Sequence, residues 1–345
     1  MTKLMLHATV HGPDDIRVEQ VLRPSAGPDD IVVKVVVCGI CGSDLGYARA
    51  GGLPMGGDGP LSLGHEFSGV IEEVGARVTA LRKGQRVVVN PTTPANMIGS
   101  GGPGAFASHI LVRNVMAESS VYPIPDTLDF ETAALVEPLA VALHGVNRSR
   151  AGAGSKVVVF GAGPIGLGVV AMLRLRGVAD IIAVDRVDSR LERARALGAN
   201  ATFNPDNCDL WAEIGKRHGA GTLYGMPVVD SDEFIEVSGA APVIPQIIAR
   251  ARFGAHLTVV AVHHAPVAMD LAMALGKEME VTTAMAYPTE FGEVLEILAA
   301  GRIDTTALIS HRYAFEDFEQ AFATAARADE SAKVLVTFGC TMGIG

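Results

Sequence analysis

A chain of 345 residues exceeds what a single hydrophobic core ordinarily organises, so two domains are expected. Hydrophobic residues make up 49% and aromatic residues only 5%, with 39 glycines, which suits strand-rich packing with many tight turns and excludes a plain helical bundle. A formal charge of −10 without any cluster of Lys and Arg excludes a nucleic-acid surface, and four cysteines are too few for a disulfide framework. Apolar runs such as "KVVVFGAGPIGLGVVAMLRLRG" are broken by Gly and Pro before reaching the ~20 residues of a membrane span. No signal peptide is visible in "MTKLMLHATVHGPDDIRV", and the expected location is the cytoplasm.

From Met1 to about Asn114 the text consists of short β segments separated by Gly and Pro: "IVVKVVV", "FSGVIEEVG", "QRVVVN", "ASHILV". This pattern predicts an all-β, partly barrel-like unit. Thr92 to Ala105 ("TTPANMIGSGGPGA") is a loop by composition. Near Phe130 the pattern changes, and "FETAALVEPLAVALHGVNRSR" has apolar residues at helical spacing. Apolar strands then alternate with helices: "KVVVF" with "PIGLGVVAMLRLRG", "DIIAVD" with "SRLERARALGA", "EFIEVSG" with "PVIPQIIARARFG", then "HLTVVAV" and "EVTTAM". That alternation predicts βαβ units on a parallel sheet. Gly221 to Phe234 is longer than a strand connection needs. After Pro288, two helices and a last strand, "KVLVTF", complete the chain.

Gly161, Gly163 and Gly166 form G-x-G-x-x-G after an apolar strand, with Pro164 and Ile165 between the last two glycines. A lone match is weak, but here it opens a helix, and a second strand ends in Asp185, nineteen residues after Gly166. The glycines permit the tight turn, the approach of backbone to a pyrophosphate, and close helix–strand packing. Asp185 is expected to accept from the adenosine ribose hydroxyls and to disfavour a 2′-phosphate, which points to NAD; Arg186 and Arg190 stand near enough to receive that phosphate instead.

The stretch "VCGICGSDLGY" raises a separate question, because it holds two of the four cysteines, Cys38 and Cys41, spaced C-x-x-C. Ser43 and Asp44 follow; "LGHEFSG" supplies His65 and Glu66, and "LVEPLAV" supplies Glu137. Thiolate, imidazole and carboxylate together are zinc ligands, and a catalytic zinc keeps one position open. Singly, a cysteine at a strand end is more often a small buried hydrophobe, and a histidine more often a hydrogen-bonded core or surface residue.

"GICGSD", "LGHEFSGVIEEVG", "GQRVVV", "EPLAVALHG" and "VVVFGAGPIGLG" occur in order over nearly the whole chain. Together they resemble the zinc-dependent medium-chain alcohol dehydrogenases, in the branch containing sorbitol, butanediol and threonine dehydrogenases. The resemblance implies an α/β protein with a GroES-like β-rich catalytic domain (1–148 and 286–345) and a Rossmann doubly wound parallel-sheet domain (149–285) that binds NAD. It implies a catalytic zinc on Cys41 and His65, with Glu66 and Glu137 completing the shell directly, through water or in alternation. Asp44 is implied to orient the His65 ring, Ser43 to receive the substrate proton, and Cys38 to be strand core. Tyr47, Arg49, Thr92 and Thr93 are implied pocket walls. A small-molecule alcohol substrate and a homo-oligomer, dimer or tetramer, are expected. Two departures stand out. Many relatives carry four cysteines of a structural zinc after "QRVVVN", where this chain has none, so one zinc is expected. Many also carry a proton-passing histidine three residues after Ser43, where this chain has Gly46; the route then runs through ribose hydroxyls, water or another residue. His263 and His264 follow a strand, a place where adjacent histidines more often cap a loop than catalyse. The alternatives of the same fold are a threonine-type amino-alcohol dehydrogenase and a zinc-free quinone or enoyl reductase. Outside that class stands a binding protein that senses NAD without turnover.

Overall fold

The computed structural model describes residues 3–339 except 54, 55, 57 and 58. The β-rich part begins with β1 (Leu4–Gly12), paired antiparallel with β2 (Asp15–Leu22). β3 (Ile31–Gly39) is largely buried, as its near-continuous valines require, and ends at helix α1 (Gly42–Ala50). There follow β4 (Leu61–Ser62), β5 (Glu66–Val74), β6 (Arg86–Val89), β7 (His109–Val112), the single turn α2 (Val115–Glu118) and β8 (Val121–Pro123). The stretch with helical spacing forms two helices, α3 (Phe130–Ala134) and α4 (Val136–Arg148), joined at Leu135. Pro138 explains the break: it has no N–H to give the Ala134 carbonyl, so the helix restarts with the proline in its first turn.

The parallel part runs β9 (Lys156–Phe160), α5 (Pro164–Leu175), β10 (Asp180–Val184), α6 (Asp188–Ala196), β11 (Ala201–Phe203), α7 (Leu210–His218), β12 (Ala220–Leu223), β13 (Met226–Val229), β14 (Glu233–Glu236), α8 (Val243–Arg250), β15 (His256–Val259), α9 (Leu271–Gly276) and β16 (Glu280–Thr283). Its six-stranded sheet has the order β11-β10-β9-β14-β15-β16, all parallel. The strand order reverses between β9 and β14, where open α/β sheets leave a crevice for ligands. The overlong segment Gly221 to Phe234 contains an antiparallel hairpin, β12–β13, turning on Tyr224 and Gly225, both at positive φ (52° and 78°). Asn-Gly would have announced such a turn; tyrosine in the first position concealed it.

After α10 (Glu290–Ala299) come β17 (Ile309–Ala314), α11 (Phe318–Ala325) and β18 (Lys333–Thr337). β18 pairs antiparallel with β3, so the end of the chain completes the sheet begun by its first third, in the order β17-β18-β3-β5-β6-β8, with β7 also on β3. Side chains of α6 reach across to this returning segment. Arg190 donates to the Ser331 carbonyl (3.1 and 3.0 Å) and Arg193 to that of Ala307 (2.8 Å). The returning segment also meets α4, where His144 contacts Glu290 of α10 at 2.8 Å.

Candidate active site

The register of β3 against β5 sets Gly39 opposite Glu66. A Cβ on Gly39 would lie 2.3 Å from Glu66 Oε2, so glycine is what lets the carboxylate fold over the end of β3. The same end of the sheet delivers Cys41, at the start of α1, and His65, just before β5. A sulfur of Cys41, a ring nitrogen of His65 and a carboxylate oxygen of Glu66 lie within 4.8 Å of one another. Among the described residues this is the one grouping of three or more His, Cys, Asp or Glu side chains with metal-ligand geometry.

Asp44 is fully buried and accepts from the backbone N–H of Cys41 (2.9 Å) and of Gly64 (3.0 Å). Its oxygen stands 3.7 Å from His65 Nδ1, close enough for charge attraction but beyond a hydrogen bond. Asp44 therefore acts on the pair chiefly through their backbones, fixing the chain beside Cys41 and His65 together. Gly64 holds φ +89° with the Phe106 backbone 2.8 Å from where its Cβ would be, so the turn that presents His65 requires glycine.

The charges around this cluster are strongly coupled. Burial opposes an imidazolium at His65, yet Asp44, Cys41 and Glu137 outweigh it and raise the His65 pKa well above its ordinary value. Burial, with the Glu66 charge beside it, raises Glu137 to about 7, against the pull of His65. Glu137 lies outside the tight grouping. Near it lies the buried Tyr287 hydroxyl, and burial together with Glu137 pushes its pKa up. Cys38 is fully buried in β3, and desolvation followed by Asp44 and Glu66 holds it as a thiol.

Lys333, the first residue of β18, was not legible in the sequence. Its ammonium is buried and donates to both Glu66 oxygens (2.7 and 2.6 Å) and to the Ile40 carbonyl (3.0 Å). Burial opposes the charge, but Glu66 and then Cys41 outweigh that and raise the Lys333 pKa. No spacing could have linked residues 267 positions apart; the signal available was a lone lysine opening an otherwise apolar terminal strand.

Of the expected pocket walls, Thr93 is nearly buried and accepts from Asn96 (2.9 Å), Thr92 bonds Asn90 (2.9 Å), Tyr47 is half-buried and Arg49 exposed. Ser43 is half-buried in the first turn of α1.

At the glycine-rich turn, Gly161 has φ +106°, and a Cβ there would meet the Ser238 backbone at 2.9 Å. One on Gly166 would lie 1.9 Å from the Gly161 carbonyl oxygen. Gly163 caps α5 with no side chain over the helix N-terminus, and Pro164 follows at the first helical position, so free N–H groups face an open cradle. Asp185 accepts from the N–H of Ala162 (2.6 Å) and of Val187 (2.9 Å), which fixes it beside that turn with lone pairs to spare. Arg186 is exposed and pairs with Asp206 (2.7 Å), while Arg190 is the only side chain within 4 Å of a Gly163 Cβ (3.7 Å). His263 donates to or accepts from Glu236 at 2.9 Å, and Glu236 also receives the N–H groups of Ser238 and Gly239. Soft and imidazole donors with a carboxylate suit zinc, and a side-chain-free helix N-terminus beside an anchored acid suits a dinucleotide; both groups fit the residues present.

Residues 27–126 match the family description "Alcohol dehydrogenase GroES-like domain" and residues 164–300 match "Zinc-binding dehydrogenase". The (R,R)-butanediol dehydrogenase of Bacillus subtilis (strain 168) is 32% identical over 96% of this chain and 99% of its own length. The chain belongs to the zinc-dependent medium-chain alcohol dehydrogenase family. It is an oxidoreductase acting on CH–OH donors. Sorbitol dehydrogenase of Gallus gallus is 30% identical over 96% of each chain. A zinc-binding dehydrogenase from Sinorhizobium meliloti 1021, solved with NADP, superposes with a TM-score of 0.84 at 30% identity, covering 97% of this dehydrogenase and 99% of that one. No helix among the described residues is long and apolar enough to cross a membrane.

Replacing Lys333 by Met leaves Glu66 buried without its counter-charge. The expected cost is about 3–5 kcal/mol of unfolding free energy, read by denaturant titration against the unmodified protein; a loss below about 1 kcal/mol would show that the pair does not hold this corner together.

Proposed function

We propose that this dehydrogenase oxidises a secondary alcohol or polyol to a ketone with NAD, using one zinc held by Cys41, His65 and a carboxylate. The observation that carries the reading is the convergence of Cys41, His65 and Glu66 at the sheet end. A zinc there supplies Lewis-acid polarisation of the substrate hydroxyl, and NAD supplies the hydride acceptor. The chain's own contributions are positional. Asp44 ties the two ligand-bearing turns to each other, and Lys333 withdraws Glu66 onto β18. With Glu66 held by Lys333, Glu137 would be the second carboxylate to complete the zinc shell, directly, through water or in alternation with Glu66. Ser43, two residues from Cys41, takes the substrate proton. Asp185 selects NAD over NADP by charge, and Arg190 reaches toward the phosphates; these assignments rest on the glycine turn and the anchored carboxylate beside it. The β-rich unit spans 1–148 and 286–345, the nucleotide unit 149–285.

We also infer a homo-oligomer built through β16. This strand is the open edge of the parallel sheet, and Val281, Met285, Leu271, Leu275 and Tyr224 are exposed on and around it. The reading favours a dimer as the basic unit.

Elemental analysis should find about one zinc per chain, and NADH should form with at least one member of a panel of diols, polyols and cyclic alcohols; activity confined to activated double bonds, without zinc, would sink the reading. Cys41→Ala should lose the zinc and nearly all turnover while NAD affinity, followed by fluorescence titration, stays within about twofold, since the nucleotide cradle is built from other elements. Asp185→Ala should erode the preference for NAD over NADP by about 1–3 kcal/mol, measured as the ratio of the two kcat/KM values; an unchanged ratio would contradict the assignment. Met285→Glu with Leu275→Glu should convert the assembly to a smaller species in sedimentation velocity, whereas an unaltered profile would place the contact elsewhere.

A further inference from the structure

α1 carries no side chain at Gly46, three residues after Ser43 and on the same helix face. Among the described residues, a Cβ built there has a single neighbour within 4 Å: Cε1 of His264, at 3.9 Å. That imidazole comes from the opposite unit, in the loop after β15. Its neighbour His263 is tied to Glu236, which is buried and also held by the N–H groups of Ser238 and Gly239 and by the Ser238 hydroxyl. The loop is thus anchored through His263, and His264 is directed across to the bare spot on α1. His264 is exposed, so its outer side meets water.

We propose that His264 is the proton-relay residue of this dehydrogenase, supplying from the nucleotide-binding unit the imidazole that α1 lacks at position 46. The proposal rests on the alcohol-oxidation reading above. The substrate O–H bond breaks as Ser43 Oγ takes the proton and gives up its own; that proton passes by way of water to a ring nitrogen of His264 and from the imidazolium to bulk. Bound NAD would supply the acceptor for the carbinol hydride, so each turnover would yield one ketone, one NADH and one free proton, with Ser43 and His264 restored. Imidazole suits this because one ring nitrogen can take up a proton while the other releases one. The titratable side chains on the elements around it are Asp44, Tyr47 and Arg49 of α1, with His263 and Glu236 on its own side. Asp44 is spent on Cys41 and Gly64, and Glu236 on His263 and its loop, which leaves His264 the group free to cycle. Placing the relay on a loop of the nucleotide unit makes proton release depend on how that unit sits against α1.

Two measurements test this. In protein carrying ¹³C-labelled histidine, without cofactor or substrate, Gly46→Ala adds a methyl in contact distance of His264 and should shift one imidazole Cε1–H resonance, the one missing from His264→Ala; no shift would overturn the placement. In turnover, His264→Ala should lower kcat about 100-fold near neutral pH with KM and zinc content little changed. The loss should shrink as pH rises and hydroxide accepts the proton, and it should be relieved by imidazole in the buffer or by Gly46→His in the same chain. An unchanged kcat in His264→Ala would overturn the relay and leave the dehydrogenase reading intact. A lower kcat that neither imidazole, Gly46→His nor high pH relieves would show a structural role and also overturn it. If the unmodified protein oxidises no alcohol, both readings fall.

Discussion

The buried pair of Lys333 and Glu66 is the contact on which the rest of the site depends. It joins β18 to β5 across the end of β3, in a corner where Gly39 has given up its side chain to make room. Neither charge would tolerate that burial alone: the Lys333 ammonium donates to both Glu66 oxygens and to the Ile40 carbonyl. The pair locks the returning strand in register, and it sets where a carboxylate can stand relative to Cys41 and His65. Stability and the electrostatics of the Cys41, His65 and Glu66 grouping are for this reason one problem: a change that loosens β18 frees Glu66.

A second consequence of local chemistry lies beneath His65. The segment 92–105 carries no cysteine, and a hydrogen-bond hub organises it. Asn96, almost wholly buried, donates to Thr93 and to the Arg113 carbonyl, accepts from the Arg113 N–H, and lies beside Glu118, which also receives the Ala95 N–H. The loop then passes under the ligand turn: Ala105 donates to the Gly64 carbonyl, and Gly99 sits where any Cβ would meet that oxygen at 2.8 Å and His65 Nδ1 at 3.1 Å. Backbone packing and one amide side chain brace the imidazole in this chain.

Much of this was readable in the residues. Valine runs with glycine punctuation announced the buried strands, the helical spacing after each announced the parallel sheet, and the ordered motifs announced the family. What escaped shares a physical character. The hairpin at Tyr224 depends on a residue that seldom leads a primed turn. The break at Leu135 depends on a proline whose missing N–H matters only if one asks which carbonyl it would have served. Lys333 matters through a strand pairing that brings the two ends of the chain together, and local pattern carries no trace of it. The role of Asp44 was visible as proximity to the ligands, but the structure shows it working through the N–H groups of Cys41 and Gly64.

The pairing of β18 with β3 also places the site in time. During synthesis, Cys41, His65 and Glu66 emerge early, whereas Lys333 follows Glu66 by 267 residues. Until β18 arrives, the first sheet has an open edge at the end of β3, Val37–Gly39, and the Glu66 carboxylate lacks its lysine. The nascent β-rich unit must wait, incomplete, while the entire nucleotide-binding sheet is made and folded. In that interval no lysine restrains Glu66, so the carboxylate takes its final place over the end of β3 only once the far end of the chain has been made.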